Sequence, residues 1–304
     1  MTAPQMHPDE IDIDSALVGR LLAMQFPQWA DLSIRPVISA GTENALYRLG
    51  DEMVVRLPRR PDNVGQVDKE HQWLPRFAPY LPLTIPLPLA KGTPTDDYPS
   101  VWAIYPWLKG ETATLDNLAN PNQAAVKLAQ FITTLQHIDA TDGPRPGAHN
   151  FFRGVPLAMR DEATRTAIVA LGNLIDGEAI ITAWETSLRA PIWHGPPVWI
   201  HGDLQSGNLL AVNGELTAVI DFGGLGVGDP ACDLLVAWNL FSAETRAIFR
   251  AALSVDDATW MRGRGWALSF GLIALPYYLN SNPTLADIAR YAINEVLEDF
   301  KHGR

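Results

Sequence analysis

The sequence predicts an α+β protein of two lobes, and three observations carry that expectation. Short strand-like runs crowd residues 34–105, and helical patterns dominate residues 111–304. A single Asn213-Gly214 turn between apolar runs sets a β-hairpin inside the helical part. The expected division is an N-terminal lobe over residues 1–105, a hinge at 106–110 (Pro106-Trp107-Leu108-Lys109-Gly110) and a C-terminal lobe over 111–304. The first lobe should be a five-stranded antiparallel sheet with a helix, the second mainly helical apart from its hairpin.

Taken in order, Leu17, Val18, Leu21 and Leu22 recur at helical spacing over residues 15–25, and Phe26-Pro27 ends that helix. Strand-like runs follow at 34–38, 45–49 and 53–57, the last two joined by Gly50-Asp51, as in an antiparallel meander. A helix over 64–77 is interrupted late by Pro75, and two short strands, 85–90 and 101–105, complete the sheet. Beyond the hinge, Asn120-Pro121 pairs an N-cap with proline at the first helical position. Ala124, Leu128, Phe131, Leu135 and Ile138 then form one apolar stripe. Residues 141–152, rich in Gly, Pro and Asn, must be a loop, and helices are expected over 160–174 and 177–190. After the hairpin, Asp229-Pro230 should cap a helix reaching Phe241, with further helices at 244–252 and 258–279. Thr284 and Asp287 resemble a capping box for a last helix over 285–301.

Composition bounds the function classes. With 304 residues, 47% of them hydrophobic and 19% charged, the chain can bury a sizeable core and is not a disordered polymer. A net charge of −11 argues against nucleic acid as a partner and permits a cationic substrate. The single cysteine, Cys232, excludes an intrachain disulfide and fits a reducing compartment. The acidic start lacks a signal pattern, and the longest apolar run, 270–279, falls short of the roughly 20 residues a membrane span needs. A cytoplasmic protein without membrane partners is expected, and the oligomeric state is open.

The chemistry gathers around the hairpin. Leu209-Leu210-Ala211-Val212 and Leu216-Thr217-Ala218-Val219-Ile220 flank Asn213-Gly214. A symmetric turn would set Val212 opposite Glu215, Leu210 opposite Thr217 and Asn208 opposite Val219. Asp221, two residues beyond Val219, would then share a face with Asn208, their Cα atoms roughly 7–8 Å apart on the diagonal. An amide oxygen and a carboxylate so placed, completed by water and phosphate oxygens, suit Mg²⁺.

His201-Gly202-Asp203 followed after four residues by Asn208 matches H-R-D-x-x-x-x-N with Gly in the Arg position, and Asp221-Phe222-Gly223 matches D-F-G. With Gly228-Asp229-Pro230-Ala231 and Asp233-Leu234 after it, the ordered set closely resembles the aminoglycoside phosphotransferases, small-molecule kinases with a protein-kinase-like fold. The resemblance implies Mg²⁺-dependent transfer of the γ-phosphoryl group of ATP or GTP to a hydroxyl of an aminoglycoside or related antibiotic, and with it antibiotic resistance. Asp203 would orient the acceptor hydroxyl and take its proton, and Asn208 and Asp221 would hold the metal. His201 and Asp229 would be structural supports.

In the first lobe, the loop with Ser39, Gly41 and Thr42 lies where a nucleotide-covering loop belongs in that fold, though no P-loop signature exists anywhere. Arg56 stands where the kinase pattern V-A-I-K has Lys. Glu70, set into the apolar stripe of Val67, Leu74 and Phe77, needs a cationic partner, and Arg56 is the candidate; Lys69 faces away from the stripe. Tyr105 and Trp107, at the hinge, would contact the base through the backbone.

For the acceptor, the resemblance points to acidic residues on the last helices, here Glu295, Glu298 and Asp299, and to Asp233, although a solvated acidic face and a structural Asp233 are the plainer readings. Trp238, Trp266, Tyr277 and Tyr278 could line a pocket for a more apolar acceptor or belong to the core. Val55-Arg56-Leu57-Pro58-Arg59-Arg60-Pro61-Asp62 is similar to the macrolide phosphotransferases. Macrolides, choline, homoserine and sugars are therefore the alternative acceptors, and a non-catalytic nucleotide-binding module is the alternative class. A protein kinase is not the expected class, because only Gly224 to Val227 separate Asp221-Phe222-Gly223 from the Gly228-Asp229-Pro230 turn, leaving no room for an activation segment.

Overall fold

The structure, a computed structural model, describes residues 10–38, 41, 43–60 and 65–303. The chain forms two compact units. The first comprises the residues up to Pro79 together with Ile85–Lys109, and the second comprises Tyr80–Thr84 and Gly110–Arg304.

In the first unit, helix α1 (Ser15–Gln25) is capped by Asp14, whose side chain accepts from the Leu17 N–H at 2.7 Å. Strands β1 (Ile34–Pro36), β2 (Asn44–Leu49) and β3 (Met53–Pro58) form the meander, helix α2 (Gln66–Phe77) follows, and β4 (Ala90–Gly92) and β5 (Trp102–Pro106) complete the sheet. The order is β1-β2-β3-β5-β4, antiparallel throughout. The fourth strand lies at 90–92 rather than the expected 85–90. Pro86 and Pro88 have no N–H to give a ladder, so pairing is delayed until the prolines are passed.

Period-two alternation divides β3 between two cores. Val55 and Leu57 pack with Tyr47, Leu49, Ile104 and the Leu17, Val18, Leu21 and Leu22 stripe of α1. Val54 falls on the opposite face with Ala103, Tyr105 and the α2 residue Val67. Arg56 shares that face, because it pairs with Ala103 while Val54 pairs with Tyr105. The register therefore delivers a guanidinium to the α2 side of the sheet.

In the second unit, β6 (Glu111–Thr112) precedes α3 (Pro121–His137), α4 (Asp161–Leu171), α5 (Gly177–Leu188) and β7 (Val198–Ile200). The hairpin is β8 (Leu209–Val212) with β9 (Glu215–Val219), and β6 pairs with its outer edge. The Tyr80–Thr84 segment extends the other edge, where Thr84 bridges Ala218 in parallel and accepts from the Val219 N–H at 2.9 Å. After the hairpin come β10 (Gly226–Gly228), which pairs with β7, and helices α6 (Val236–Asn239), α7 (Ala243–Leu253), α8 (Asp257–Tyr278) and α9 (Pro283–Lys301).

Asn120, Asp176, Ser242, Asp256 and Asn282 each accept from the backbone N–H three residues on, at the starts of α3, α5, α7, α8 and α9. Helix α9 thus begins with an Asn-Pro cap, as α3 does, and not with the expected Thr284–Asp287 box. The segment after Asp229 opens as a 3-10 turn, Pro230–Leu235, before widening into the short α6. Among the described residues, no helix is long and apolar enough to cross a membrane.

Candidate active site

The open end of the hairpin differs from a symmetric ladder by one residue. Val212 faces Glu215 and Ala211 faces Leu216, but Leu210 then faces Ala218 and Leu209 faces Val219, so Thr217 is the extra residue of a β-bulge. The Thr217 hydroxyl donates to the Leu210 carbonyl at 3.2 Å across the gap. The slip sets Asn208 opposite Ile220, whose N–H donates to the Asn208 carbonyl at 2.9 Å, instead of opposite Val219. The ladder also ends at Val219, and Asp221 turns out of it with φ 62° and ψ 71°. A non-glycine residue in this left-handed region is strained by order 1–2 kcal/mol, and such strain collects at functional turns. Asp221 is therefore aimed by a kinked turn and not by strand alternation.

The loop carrying Asp203 is built around a close backbone approach. Gly202 has φ +82°, and a Cβ there would lie 2.1 Å from the Gly224 carbonyl oxygen. Glycine occupies the Arg position of the H-R-D pattern because nothing larger fits between these chains. His201 is buried against Phe222, their ring centroids 4.5 Å apart. Its Nδ1 accepts from the Asp203 N–H at 3.2 Å, which leaves Nε2 to donate to the Ile220 carbonyl at 3.0 Å. The imidazole thus ties the Asp203 loop to the chain entering Asp221.

The fully buried Asp233 accepts from the His201 N–H at 2.6 Å and the Gly202 N–H at 2.8 Å. Burial pushes its carboxyl upward, opposed by His201 and by those backbone hydrogen bonds. Both oxygens are spent, so Asp233 is a loop clamp and not the acceptor contact allowed for above. Asp229 accepts from the Ala231 N–H at 3.0 Å and meets Arg262 through Nε at 2.8 Å and Nη2 at 3.2 Å, pinning the 3-10 turn to α8.

Asp203 itself is partly exposed. Its Oδ2 accepts from Asn208 Nδ2 at 3.0 Å and from Gln205 Nε2 at 3.2 Å, and Asn208 Nδ2 also donates to the Asp203 carbonyl at 2.8 Å. Both amide protons of Asn208 are thereby committed, which leaves its Oδ1 as an oxygen donor. That oxygen and the Asp221 carboxylate are hard ligands of the kind Mg²⁺ takes alongside water and phosphate oxygens. No group of three or more His, Cys, Asp or Glu side chains that could hold a metal gathers among the described residues. The sequence reading missed Arg153, whose Nη2 lies 3.7 Å from Asp203 Oδ1.

In the first unit, Arg56 Nη1 donates to both oxygens of Glu70, at 2.9 and 3.0 Å. With its amide oxygen turned toward the guanidinium, Asn44 accepts from Arg56 Nε at 3.0 Å and Nη2 at 3.1 Å. The Tyr105 hydroxyl also donates to Glu70, so its side chain serves this buried network. Lys69 does not face away, as the stripe suggested. It is buried, and desolvation, eased by Glu70 and reinforced by Arg56, pushes its ammonium down to about 8. The Trp107 N–H is taken by the Glu52 carbonyl at 2.7 Å, and its ring carries the Arg48 guanidinium at 4.1 Å, so that N–H is not free for a base. Gly41 is exposed, and Ser39 and Thr42 lie outside the described residues.

The acidic candidates on α9 are also largely spent. Asp299 is buried and bound by Arg246 Nε at 3.0 Å and Nη2 at 2.6 Å and by Trp238 Nε1 at 2.8 Å. Glu295 accepts from Arg246 Nη1 at 2.9 Å. These carboxylates lock α9 onto α7, Asp299 from a buried position and Glu295 from a partly exposed one. Glu298 is exposed and accepts from Lys301 at 2.9 Å. Trp238 and Trp266 are core residues, whereas Tyr277 is 56% exposed.

Structural relatives share this architecture. An aminoglycoside phosphotransferase in complex with GDP and kanamycin matches with a TM-score of 0.72 at 19% identity, over 95% of this chain and 100% of that one. The GDP complex of a wild-type aminoglycoside 2'-phosphotransferase gives a TM-score of 0.73 at 17% identity, over 95% and 100%. A macrolide 2'-phosphotransferase from Brachybacterium faecium gives 0.60 at 22%, over 92% and 97%. At these identities the likeness shows the fold, which is the α+β, protein-kinase-like fold the motifs imply. Among curated proteins nothing matches the chain. The model of the phosphotransferase enzyme family APH matches residues 35–266, from β1 into α8, and the chain belongs to that family of enzymes.

Proposed function

We propose that this phosphotransferase moves the γ-phosphoryl group of ATP or GTP, with Mg²⁺, to a hydroxyl of a small molecule, an aminoglycoside or related antibiotic being the leading acceptor. The observation that carries the reading is the Asp203–Asn208 pair. One amide fixes both the carboxylate and the carbonyl of the proposed base while keeping its own oxygen for a cation. In this reading the acceptor oxygen attacks the γ-phosphorus, the bond to the β-phosphate oxygen breaks, and the hydroxyl proton passes late to the Asp203 carboxylate. Asn208 Oδ1 and Asp221 would hold Mg²⁺, which supplies charge neutralisation at the β- and γ-phosphate oxygens. Residues 1–105 would bind the nucleotide, with Arg56, oriented by Glu70, as the phosphate contact, residues 106–110 would be a hinge, and residues 111–304 would carry catalysis and the acceptor.

Arg56 departs from the usual Lys. Its guanidinium is held by Glu70 and Asn44, which supports a fixed charge in place of the mobile ammonium of a lysine. A macrolide or another acceptor without many ammonium groups is the second reading. It is favoured by the engagement of Asp233, Glu295 and Asp299 in internal contacts. A cytoplasmic location and a resistance role belong to the same proposal. The test is Mg²⁺-dependent consumption of ATP and GTP against aminoglycosides, macrolides, choline, homoserine and sugars, with Asp203→Asn as control. Acceptor-dependent turnover lost in the variant supports the reading, and turnover that survives it removes Asp203 from its role.

A further inference from the structure

Arg153 has no counterpart in the motifs above, yet its guanidinium is the cation nearest the proposed catalytic carboxylate, with Nη2 3.7 Å from Asp203 Oδ1. Its side chain is 15% exposed, and its Nε and Nη1 are buried without a hydrogen-bond partner. A buried cation with two idle donors is expensive unless the remaining contacts hold it for a purpose. Those contacts are Asp203 and the Trp266 ring, 5.8 Å from the guanidinium carbon. Arg160 stacks on the same ring at 4.7 Å and is bonded to Ser269. Burial, with the Arg153 charge second, pushes Arg160 down to about 10. Arg153 therefore has a like charge in Arg160 and an opposite charge in Asp203 as its neighbours.

The loop that delivers Arg153 is stapled from both ends. Asn150, fully buried, accepts from the Gly147 N–H at 3.0 Å and donates to the Arg153 carbonyl at 3.1 Å. Val227 and Asp229 donate to the Pro144 and Gly154 carbonyls, each at 2.9 Å, fastening the loop to β10 beside the Asp221 turn. Phe151 and Phe152 both lie in the left-handed region, at φ 54° and 55°, a conformation that costs two non-glycine residues of order 1–2 kcal/mol each. The strain is tolerated where the loop must present the next residue at a fixed point.

Resting on the phosphotransfer reading of Asp203, we propose that Arg153 is a positioning residue for that carboxylate. It attracts Oδ1 by charge across 3.7 Å while Asn208 and Gln205 hydrogen-bond Oδ2, so the two together restrict rotation of the carboxylate. Loss of Arg153 frees the carboxylate to rotate, which slows the chemical step and leaves nucleotide binding alone.

The test compares wild type, Arg153→Gln, Arg153→Lys and Asp203→Asn for kcat, nucleotide KM and melting temperature on whichever acceptor turns over. Crystal structures of wild type and Arg153→Gln need no acceptor. The expected result is a kcat lower by about 10- to 100-fold in Arg153→Gln, as misplacement of a reacting group produces. Arg153→Lys should recover part of it, nucleotide KM should stay near wild type, and the Asp203 side chain should be displaced in the Gln crystal. A kcat within about threefold of wild type in Arg153→Gln, with Asp203→Asn inactive, overturns the positioning role and leaves the phosphotransfer reading standing. Equal losses in Gln and Lys accompanied by a lowered melting temperature overturn it as well, because they mark a structural residue. So does an Asp203 side chain that has not moved in the crystal. Turnover surviving Asp203→Asn fails the phosphotransfer reading itself and takes the proposal with it.

Discussion

A single missing side chain explains the departure of the Asp203 loop from H-R-D. At Gly202 the backbone of Gly224 leaves no space, since an added Cβ would sit 2.1 Å from its carbonyl oxygen at a φ of +82°. Gly202→Ala should therefore destabilise the protein by about 3 kcal/mol, combining left-handed strain with overpacking, as urea unfolding would measure. Loss of less than 1 kcal/mol would mean that the two chains separate easily. At the neighbouring residue the chemistry is decisive. Asp203→Asn should lower kcat by about 10²-fold or more while melting within a few degrees of wild type, because the amide keeps the shape and loses the base.

The Asp203–Asn208 and Arg56–Glu70 contacts were legible because each pair belongs to a spaced pattern of residue types. Arg153 was not, since it reaches Asp203 across 50 residues through a loop whose composition says only that it turns. Asp233 and Asp299 look identical to acceptor ligands in the sequence, and only their buried partners show them to be clamps.

At the scale of elements, α2 carries an ionisation that the stripe concealed. Lys69 is buried beside Glu70 and Arg56, with its pKa lowered to about 8 by desolvation. In the unfolded chain a lysine titrates near 10.4, so between pH 8 and that value the unfolded state binds one more proton than the folded state. Stability should therefore rise with pH above 8, by at most about 1.4 kcal/mol per unit. Above pH 9 the opposite slope from Cys232, whose thiol burial raises to about 12, sets in. Urea midpoints at pH 7.5, 8.2 and 9.0 would show the rise, and Lys69→Gln should flatten it. A slope that persists in the variant assigns it to another group.

The elements themselves were largely readable, as α1 and α3 show through their stripes and caps. The misjudged elements share one cause, a local residue that defeats periodicity. Pro86 and Pro88 postponed β4, Asn282-Pro283 moved the start of α9, and Thr217 inserted the bulge that re-aimed the end of the hairpin.

For the whole molecule, the net charge of −11 opposes a polyanionic nucleotide, so binding must rest on local cations. In the proposed reading Arg56 would supply one, and a metal held by Asn208 and Asp221 the other. Nucleotide alone should then stabilise the chain weakly and Mg²⁺-nucleotide strongly, by about 2.7 kcal/mol when the complex is present at 100 times its Kd. In a melting experiment that is a rise of several degrees. Asp221→Asn should remove most of the difference made by Mg²⁺ while leaving the small nucleotide-only shift. Arg56→Gln should weaken both shifts, because the phosphates would lose their oriented partner and Glu70 would lose its guanidinium. If Mg²⁺ still adds its full increment in Asp221→Asn, the metal is not held at this turn, and the strained Asp221 backbone needs another explanation. If Arg56→Gln leaves the nucleotide shift untouched, Arg56 is a sheet-to-helix brace and the phosphates are bound elsewhere in the first unit.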